Sequence, residues 1–176
     1  MKIQILISKN SWANQYVNLI RKKLKTKNDS VFIYDNHKKL KSGYDINVIF
    51  SYFKIISKKY LLKSKHNIIP HESNLPFGRG MSPLTWQILN SKTIIVFSLI
   101  EADQKLDNGK VYYKKKVKIS KKLLFNEIKK KQLDINLNLL YRFVSFYRKN
   151  GIAPKSVKQN GKSSYFKVRK PLHSKV

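Results

Sequence analysis

Short apolar runs of strand length, each followed by an amphipathic or irregular stretch, recur along this chain and constrain its fold more than any other feature. Lys2 to Ser8 carries Ile3, Ile5 and Ile7 at alternate positions, the period of a strand. Ser11 stands where a helix cap is wanted, ahead of about Ala13 to Lys25, where Tyr16, Val17, Leu19, Ile20 and Leu24 form an apolar stripe. Val31 to Tyr34 and Asp45 to Phe50 read as two more strands, Ser57 to Lys63 as a short helix, and Asn67 to Pro70 as a fourth strand that stops at its proline. This alternation predicts an open α/β sheet, largely parallel and covered by helices.

The second half is less regular. His71 to Gly80 reads as a loop, followed by a helix from about Ser82 to Asn90 with Pro83 in its first turn. Thr93 to Leu99 and Val111 to Ile119 are expected strands, with Asp107-Asn108-Gly109 as the turn signal between them. Ser120 to about Arg148 predicts one long helix with a break near Asp134 to Asn136. Past Asn150-Gly151 the composition predicts an irregular, partly mobile tail with a strand-like piece at Ser164 to Val168. The expected organisation is therefore one unit over residues 1–150 and a C-terminal tail over 151–176.

Composition narrows the chemistry. With no Cys there are no disulfides and no thiolate sites, and four His with nine Asp plus Glu leave little material for a metal cage. No metal is expected. The longest apolar runs are about strand length and the N-terminus lacks a signal-like apolar region, so the expected protein is soluble, cytoplasmic and without a membrane partner.

The formal charge of +29 suggests a polyanion surface. However, 33 of the 38 basic residues are Lys, whereas bidentate phosphate and base recognition favours the guanidinium fork. The Lys-rich runs at Arg21 to Lys27, Lys38 to Lys41, Lys58 to Lys65, Lys114 to Lys122 and Lys129 to Lys131 are spread over the chain. Solvated faces account for them, and specific nucleic-acid binding is not favoured. Such a field also attracts an anionic substrate.

One histidine has a setting suited to catalysis. In an open α/β sheet ligands bind beyond the carboxyl ends of the strands, where His71 follows the strand ending at Pro70. His37, His66 and His173 sit among lysines. Asp107, ahead of Asn108-Gly109, reads first as a turn residue, and only secondarily as a partner for His71. An Asp beside that imidazole would hold its tautomer and stabilise the imidazolium during proton transfer. The G-x-G of Gly78 and Gly80 belongs to neither a Walker pattern nor a complete dinucleotide fingerprint.

The string from His71 through Ser73, Leu75, Pro76, Arg79, Gly80 and Pro83 to Trp86, Ile88 and Leu89 resembles the active-site loop and following helix of the folate-dependent formyltransferases. Glu101-Ala-Asp-Gln-Lys-Leu-Asp-Asn-Gly109 is similar to that family's second element, an approach to Asp-x-Gly. The resemblance covers residues 1 to 120 and extends to the long helix. It implies a Rossmann-like, mostly parallel open sheet flanked by helices, with 10-formyltetrahydrofolate as donor and an amine as acceptor. By resemblance, His71 and Asp107 manage protons around a tetrahedral intermediate. Leu75, Pro76, Arg79 and Gly80 of the loop, with Glu101 and Asp103, would contact the folate.

One departure stands out. The family's oxyanion-stabilising Asn lies two residues before the His, where this chain has Ile69, with Asn67 a further two residues back. In a regular strand Asn67 and Ile69 share a side about 7 Å apart, so Asn67 could serve only if a bulge at Pro70 moved it closer. Ser11-Trp12 and His71-Glu-Ser-Asn-Leu-Pro76 look nearer to formyltransferases of surface-sugar synthesis, and the chain stops short of the C-terminal barrel of the transfer-RNA enzyme. An amino sugar, free or nucleotide-linked, is the acceptor this implies. The alternatives are a catalytically silent relative or a basic nucleic-acid-binding protein.

Overall fold

The computed structural model describes residues 1–169. Strand β1 (Lys2–Leu6) is followed by a 3-10 turn at Trp12–Tyr16 and helix α1 (Val17–Leu24). Then come β2 (Ser30–Tyr34), β3 (Tyr44–Ile49), α2 (Lys58–Leu61), β4 (Ser64–His71), β5 (Arg79–Gly80), α3 (Pro83–Leu89), β6 (Ile94–Glu101), β7 (Val111–Lys118), α4 (Phe125–Asn150) and β8 (Tyr165–Phe166). Six strands form one sheet in the order β2-β1-β3-β4-β6-β7, while β5 and β8 pair separately. The first four strands of that order run parallel, and β6 and β7 are antiparallel additions. The expected α/β architecture is present. No helix among the described residues is long and apolar enough to cross a membrane.

Strand parity decides which side each residue serves. Ile3, Ile5 and Ile7 of the β1 segment join Ile46, Val48, Ile68, Phe97 and Leu99 under α1 and α4, forming the main core. Leu6, Ile49 and Ile56 face the other way in a smaller cluster with Ile69 and Leu61 at its rim. Gln4, wholly buried on β1, is satisfied by Ser64 Oγ at 2.8 Å, by Lys41 O at 3.2 Å and by the Lys41 amide at 3.1 Å. Burial on both faces explains the near-continuous apolar strands.

Three expectations about element boundaries need correction. Strand β4 starts at Ser64 and continues through Pro70 to His71. Pro70 lies past Ile68, the last residue paired with β3, so the ladder on that side no longer calls for its missing amide. Register with β6 advances residue for residue from Ile68 to His71, so there is no bulge at Pro70 to carry Asn67 forward. Helix α4 is unbroken across 134–136, because Leu133, Ile135, Asn136, Leu137 and Leu140 are all buried and packing holds the backbone helical. The segment expected to be helical from about Ala13 begins as a 3-10 turn, capped by Ser11 Oγ accepting from the Ala13 amide at 3.1 Å.

Helix α4 is tied to the far edge of the sheet. Arg148 Nη2 donates to Asp29 Oδ2 at 2.7 Å and to Leu24 O at 3.0 Å, and the N-terminal ammonium bonds Asp29 Oδ1 at 3.1 Å. Burial alone would raise the Asp29 pKa, but hydrogen bonds from the Thr26 side chain and backbone, Arg148 and the N-terminus outweigh it. They hold the carboxyl well below the usual carboxylate range. Its contribution to stability is therefore complete above the unfolded value of about 4 and is lost as pH falls through the depressed folded value. Thermal unfolding followed by circular dichroism should show Asp29→Asn losing less stability than the wild type on acidification below about pH 4. Phe143, wholly buried in the main core, predicts a loss of about 3–5 kcal/mol on change to Ala, measured by urea unfolding.

Candidate active site

In the parallel part of the sheet the chain turns outward from β1 to β2 and then crosses to the other side for β3, so a crevice opens beyond the carboxyl ends of β1 and β3. A cavity of about 240 Å³ occupies that position and extends past the end of β4. His71, the last residue of β4, is buried in its wall.

The imidazole is held at one nitrogen. His71 Nε2 lies 2.8 Å from Gly78 O. A carbonyl can only accept, so Nε2 carries a proton and Nδ1 is the nitrogen free to exchange one. Nδ1 faces Asp107 Oδ2 at 3.7 Å, with both side chains less than a tenth exposed. That carboxylate oxygen also accepts the Gly80 amide at 2.8 Å. Asp107 reaches this position from a left-handed backbone conformation, φ 49°, which the turn after β6 imposes. In this water-poor setting a charge on the imidazole would interact with the carboxylate more strongly than it would at the surface.

The loop between His71 and Gly80 is fastened along its length. Ser98 Oγ donates to Ser73 O at 2.7 Å, Lys114 Nζ to Asn74 Oδ1 and Leu75 O at 2.7 Å each, and Gln87 Nε2 to Glu72 O at 2.6 Å. The Leu75-Pro76 peptide is cis, and Leu75 is buried against Ile100 and Val111. The far end of the loop is covered by residues from beyond α4. The amides of Arg79 and Met81 donate to Ser164 O and Phe166 O, the Gly78 amide donates to Ser164 Oγ, and Trp86 Nε1 donates to Lys167 O at 2.9 Å. The strand-like piece expected at Ser164 to Val168 thus forms β8, and the stretch expected as an irregular, partly mobile tail pins the loop through residues 164–167. Residues 170–176, including His173, lie outside the described residues.

The cavity has walls of different character. Ile49, Tyr52, Ile56, Leu61, Ile69 and Leu106 contribute apolar surface, within a wall that runs through Ser51 to Ile56. On the α4 side stand Trp12, Glu72, Lys129, Gln132 and Asn136. Glu72 Oε1 accepts from Gln132 Nε2 at 2.9 Å and from Asn136 Nδ2 at 2.7 Å, all three being buried. Asn136 Oδ1 has no hydrogen-bond partner among the described residues. Burial lowers the Lys129 pKa, opposed by the nearby Glu72 charge. This polar group escaped the motif reading, although two amides at i and i+4 on the apolar stripe of α4 are a signal for it, since a buried amide needs a partner.

Of the residues expected at the site, the structure brings together His71, Asp107, Gly80 and Asp103. Asn67 is not among them. Its Oδ1 accepts from Asn47 Nδ2 at 3.0 Å and its Nδ2 donates to Leu61 O at 2.9 Å, so the amide joins strands β3 and β4 to α2, while Ile69 takes the wall position nearer His71. Glu101 is also turned to structure, accepting from the Asn67 amide at 2.5 Å and Tyr112 Oη at 2.6 Å. Arg79 points to the C-terminal stretch, where Gln159 Oε1 and Tyr165 Oη accept from it. Leu75 and Pro76 shape the loop from behind and do not line the cavity.

Gly80 is confined by β8. A Cβ there would lie 2.3 Å from Phe166 O, and its φ is +99°. Gly80→Ala is expected to displace β8, lowering stability by about 1–3 kcal/mol in urea unfolding and exposing the chain after residue 157 to limited proteolysis.

Known proteins share this fold. A family model described as formyl transferase matches residues 7–144. The methionyl-tRNA formyltransferase of Finegoldia magna is 28% identical over 129 residues, which is 73% of this chain and 42% of that protein. The chain thus spans about two fifths of the length of that relative. Among solved structures, a methionyl-tRNA formyltransferase from Clostridium thermocellum superposes with a TM-score of 0.77 at 23% identity, covering 100% of this chain and 76% of that one. A formyltransferase from Anoxybacillus kamchatkensis, solved with UDP-4,6-dideoxy-4-formamido-L-AltNAc and tetrahydrofolate, superposes with a TM-score of 0.71 at 19% identity, covering 94% and 85%.

Proposed function

The chain belongs to the formyl transferase family, and from that premise we propose that it transfers a formyl group from 10-formyltetrahydrofolate to the primary amine of an amino sugar, free or nucleotide-linked, in the cytoplasm. The observation that carries this reading is the opposition of His71 Nδ1 and Asp107 Oδ2, 3.7 Å apart, at a cavity with one apolar and one polar wall.

The residues present fit such a donor. A flat pterin needs apolar faces and edge hydrogen bonds, and the wall from Ile49 to Ile56, with Ile69, Leu106 and Asp103, provides apolar side chains and a carboxylate. Bound there, 10-formyltetrahydrofolate would supply an activated formyl carbon. An amine bonding to that carbon would have to shed a proton, and on this reading His71 Nδ1 accepts it while Nε2 stays fixed on Gly78 O. Asp107, anchored by the Gly80 amide, stabilises the imidazolium so formed. The same proton can then pass to the leaving nitrogen. The positive charge of protonated His71 also favours developing negative charge nearby, a contribution that the aliphatic Ile69 cannot make.

The polar wall supports the choice of acceptor. Glu72, Gln132 and Asn136 present fixed hydrogen-bonding groups beside the Trp12 ring, a combination suited to a hydroxyl-bearing ring. A second acceptor, methionyl-tRNA, follows from the name of the Finegoldia magna relative and from the +29 charge.

Purified protein incubated with 10-formyltetrahydrofolate and a panel of free and nucleotide-linked amino sugars, with methionyl-tRNA in parallel, should yield an acceptor heavier by one formyl group in mass spectrometry. His71→Ala and Asp107→Asn are each expected to lower kcat by about a hundredfold or more with the circular dichroism spectrum unchanged. Normal turnover in both variants would remove these residues from the mechanism.

A further inference from the structure

Gln159 lies in a stretch without motif or periodicity, past the end of the family match at residue 144. Its amide nevertheless bonds at both ends. Nε2 donates to Asp107 O and Gly109 O, each at 2.8 Å, while Oε1 accepts from Arg79 Nη2 at 2.7 Å and Nε at 3.3 Å. All of its strong hydrogen-bonding positions on that side chain are engaged by two segments distant in sequence. The carbonyl partners belong to the turn that carries Asp107, and the guanidinium belongs to the residue before Gly80.

Those two segments meet at one other place, the hydrogen bond from the Gly80 amide to Asp107 Oδ2. Asp107 is a non-glycine residue at φ 49°, a conformation that persists only where neighbours over-determine it. Gln159 is itself held on both flanks. Before it, Val157 forms a two-bond bridge with Val111, and after it Ser164 and Phe166 pair with the Arg79 to Met81 strip. A side chain that grips the Asp107 turn from one side and the Arg79-Gly80 strip from the other fixes the distance between them.

We propose that Gln159 is a positioning residue for the reaction: by bridging the Asp107 turn to Arg79 it sets where the Asp107 carboxylate stands against His71. The chain beyond α4 is thereby part of the active site although it does not line the cavity. The inference rests on the reading of His71 and Asp107 as the reacting pair. It deepens that reading by naming what holds the pair in register.

The test compares the full chain with Gln159→Leu, Gln159→Glu and Tyr165→Leu, by amide hydrogen exchange in NMR and by steady-state kinetics with 10-formyltetrahydrofolate and the acceptor found above. Gln159→Leu removes both ends of the bridge. Gln159→Glu keeps an acceptor for Arg79 but has no donor for the Asp107 turn. Both are expected to speed exchange of the Gly80 amide by about tenfold, as loss of a modest hydrogen bond would. The Arg79 and Met81 amides, bonded to Ser164 O and Phe166 O, should exchange as in the wild type. In the same variants kcat should fall about tenfold with the KM for folate unchanged. Tyr165→Leu, which touches Arg79 but not the turn, should leave Gly80 exchange as it was.

Unchanged Gly80 exchange in Gln159→Leu would overturn the proposal. So would equal acceleration at Arg79, Gly80 and Met81, which would mean that β8 had simply detached, and so would a freed Gly80 amide with unaltered kcat. A wild type that formylates none of the acceptors would end the functional reading. In that case the exchange pattern alone would still decide whether Gln159 holds Asp107.

Discussion

The hydrogen bond from the Gly80 amide to Asp107 Oδ2 joins two parts of the molecule with different origins. Gly80 belongs to the loop that leaves the parallel half of the sheet through His71, whereas Asp107 belongs to the connection between the antiparallel strands β6 and β7. Only when β6 pairs with β4, aligning His71 with Ser98, does the second connection arrive over the end of the first. The opposition of imidazole and carboxylate is a consequence of sheet register. A one-residue slip of β6 would turn every side chain on it to the other face and carry the turn away from His71.

Because this contact lies between loops, the protein surrounds it with redundant fastening. Lys114, Ser98 and Gln87 hold the His71 to Gly80 loop from the sheet and from α3, and the stretch around β8 closes over it. The backbone carbonyls of Glu72, Ser73, Leu75 and Gly78 in this loop find side-chain donors, the condition for keeping such a loop ordered. The same logic accounts for polar side chains that do not serve the cavity. Asn67 and Glu101 sit where β3, β4, β6 and α2 converge, and their polar groups are consumed by that junction.

Residues on either side of His71 illustrate how strand parity divides labour. Ile69 and His71 face the smaller cluster and the cavity, while Glu72, one step on, turns to α4 and is met there by Gln132 and Asn136. The cavity therefore receives an apolar wall from one side of the sheet and a polar wall from α4. A single strand end organises both.

Much of the fold was legible because it depends on local periodicity. Alternating Ile residues in β1, the apolar runs of β3 and β6 and the stripe of α4 each specify their element and buried face within a few residues of sequence. The motif residues His71 and Asp107 were legible as candidates, since a strand end and a turn are local features too. Boundaries that depend on neighbours were not: β4 continues through Pro70 because β3 has already ended, and α4 remains intact at 134–136 because tertiary packing overrides weak local preference. Nor could sequence say that Asn67 is used up between strands, that Glu72 meets Gln132 and Asn136, or that Gln159 grips the Asp107 turn. By itself the sequence determined the elements, their buried faces and the two motif residues, each set by short-range pattern. Tertiary structure alone decided which polar groups face the cavity and which are spent in the framework, because those partners are brought together by sheet register across tens of residues.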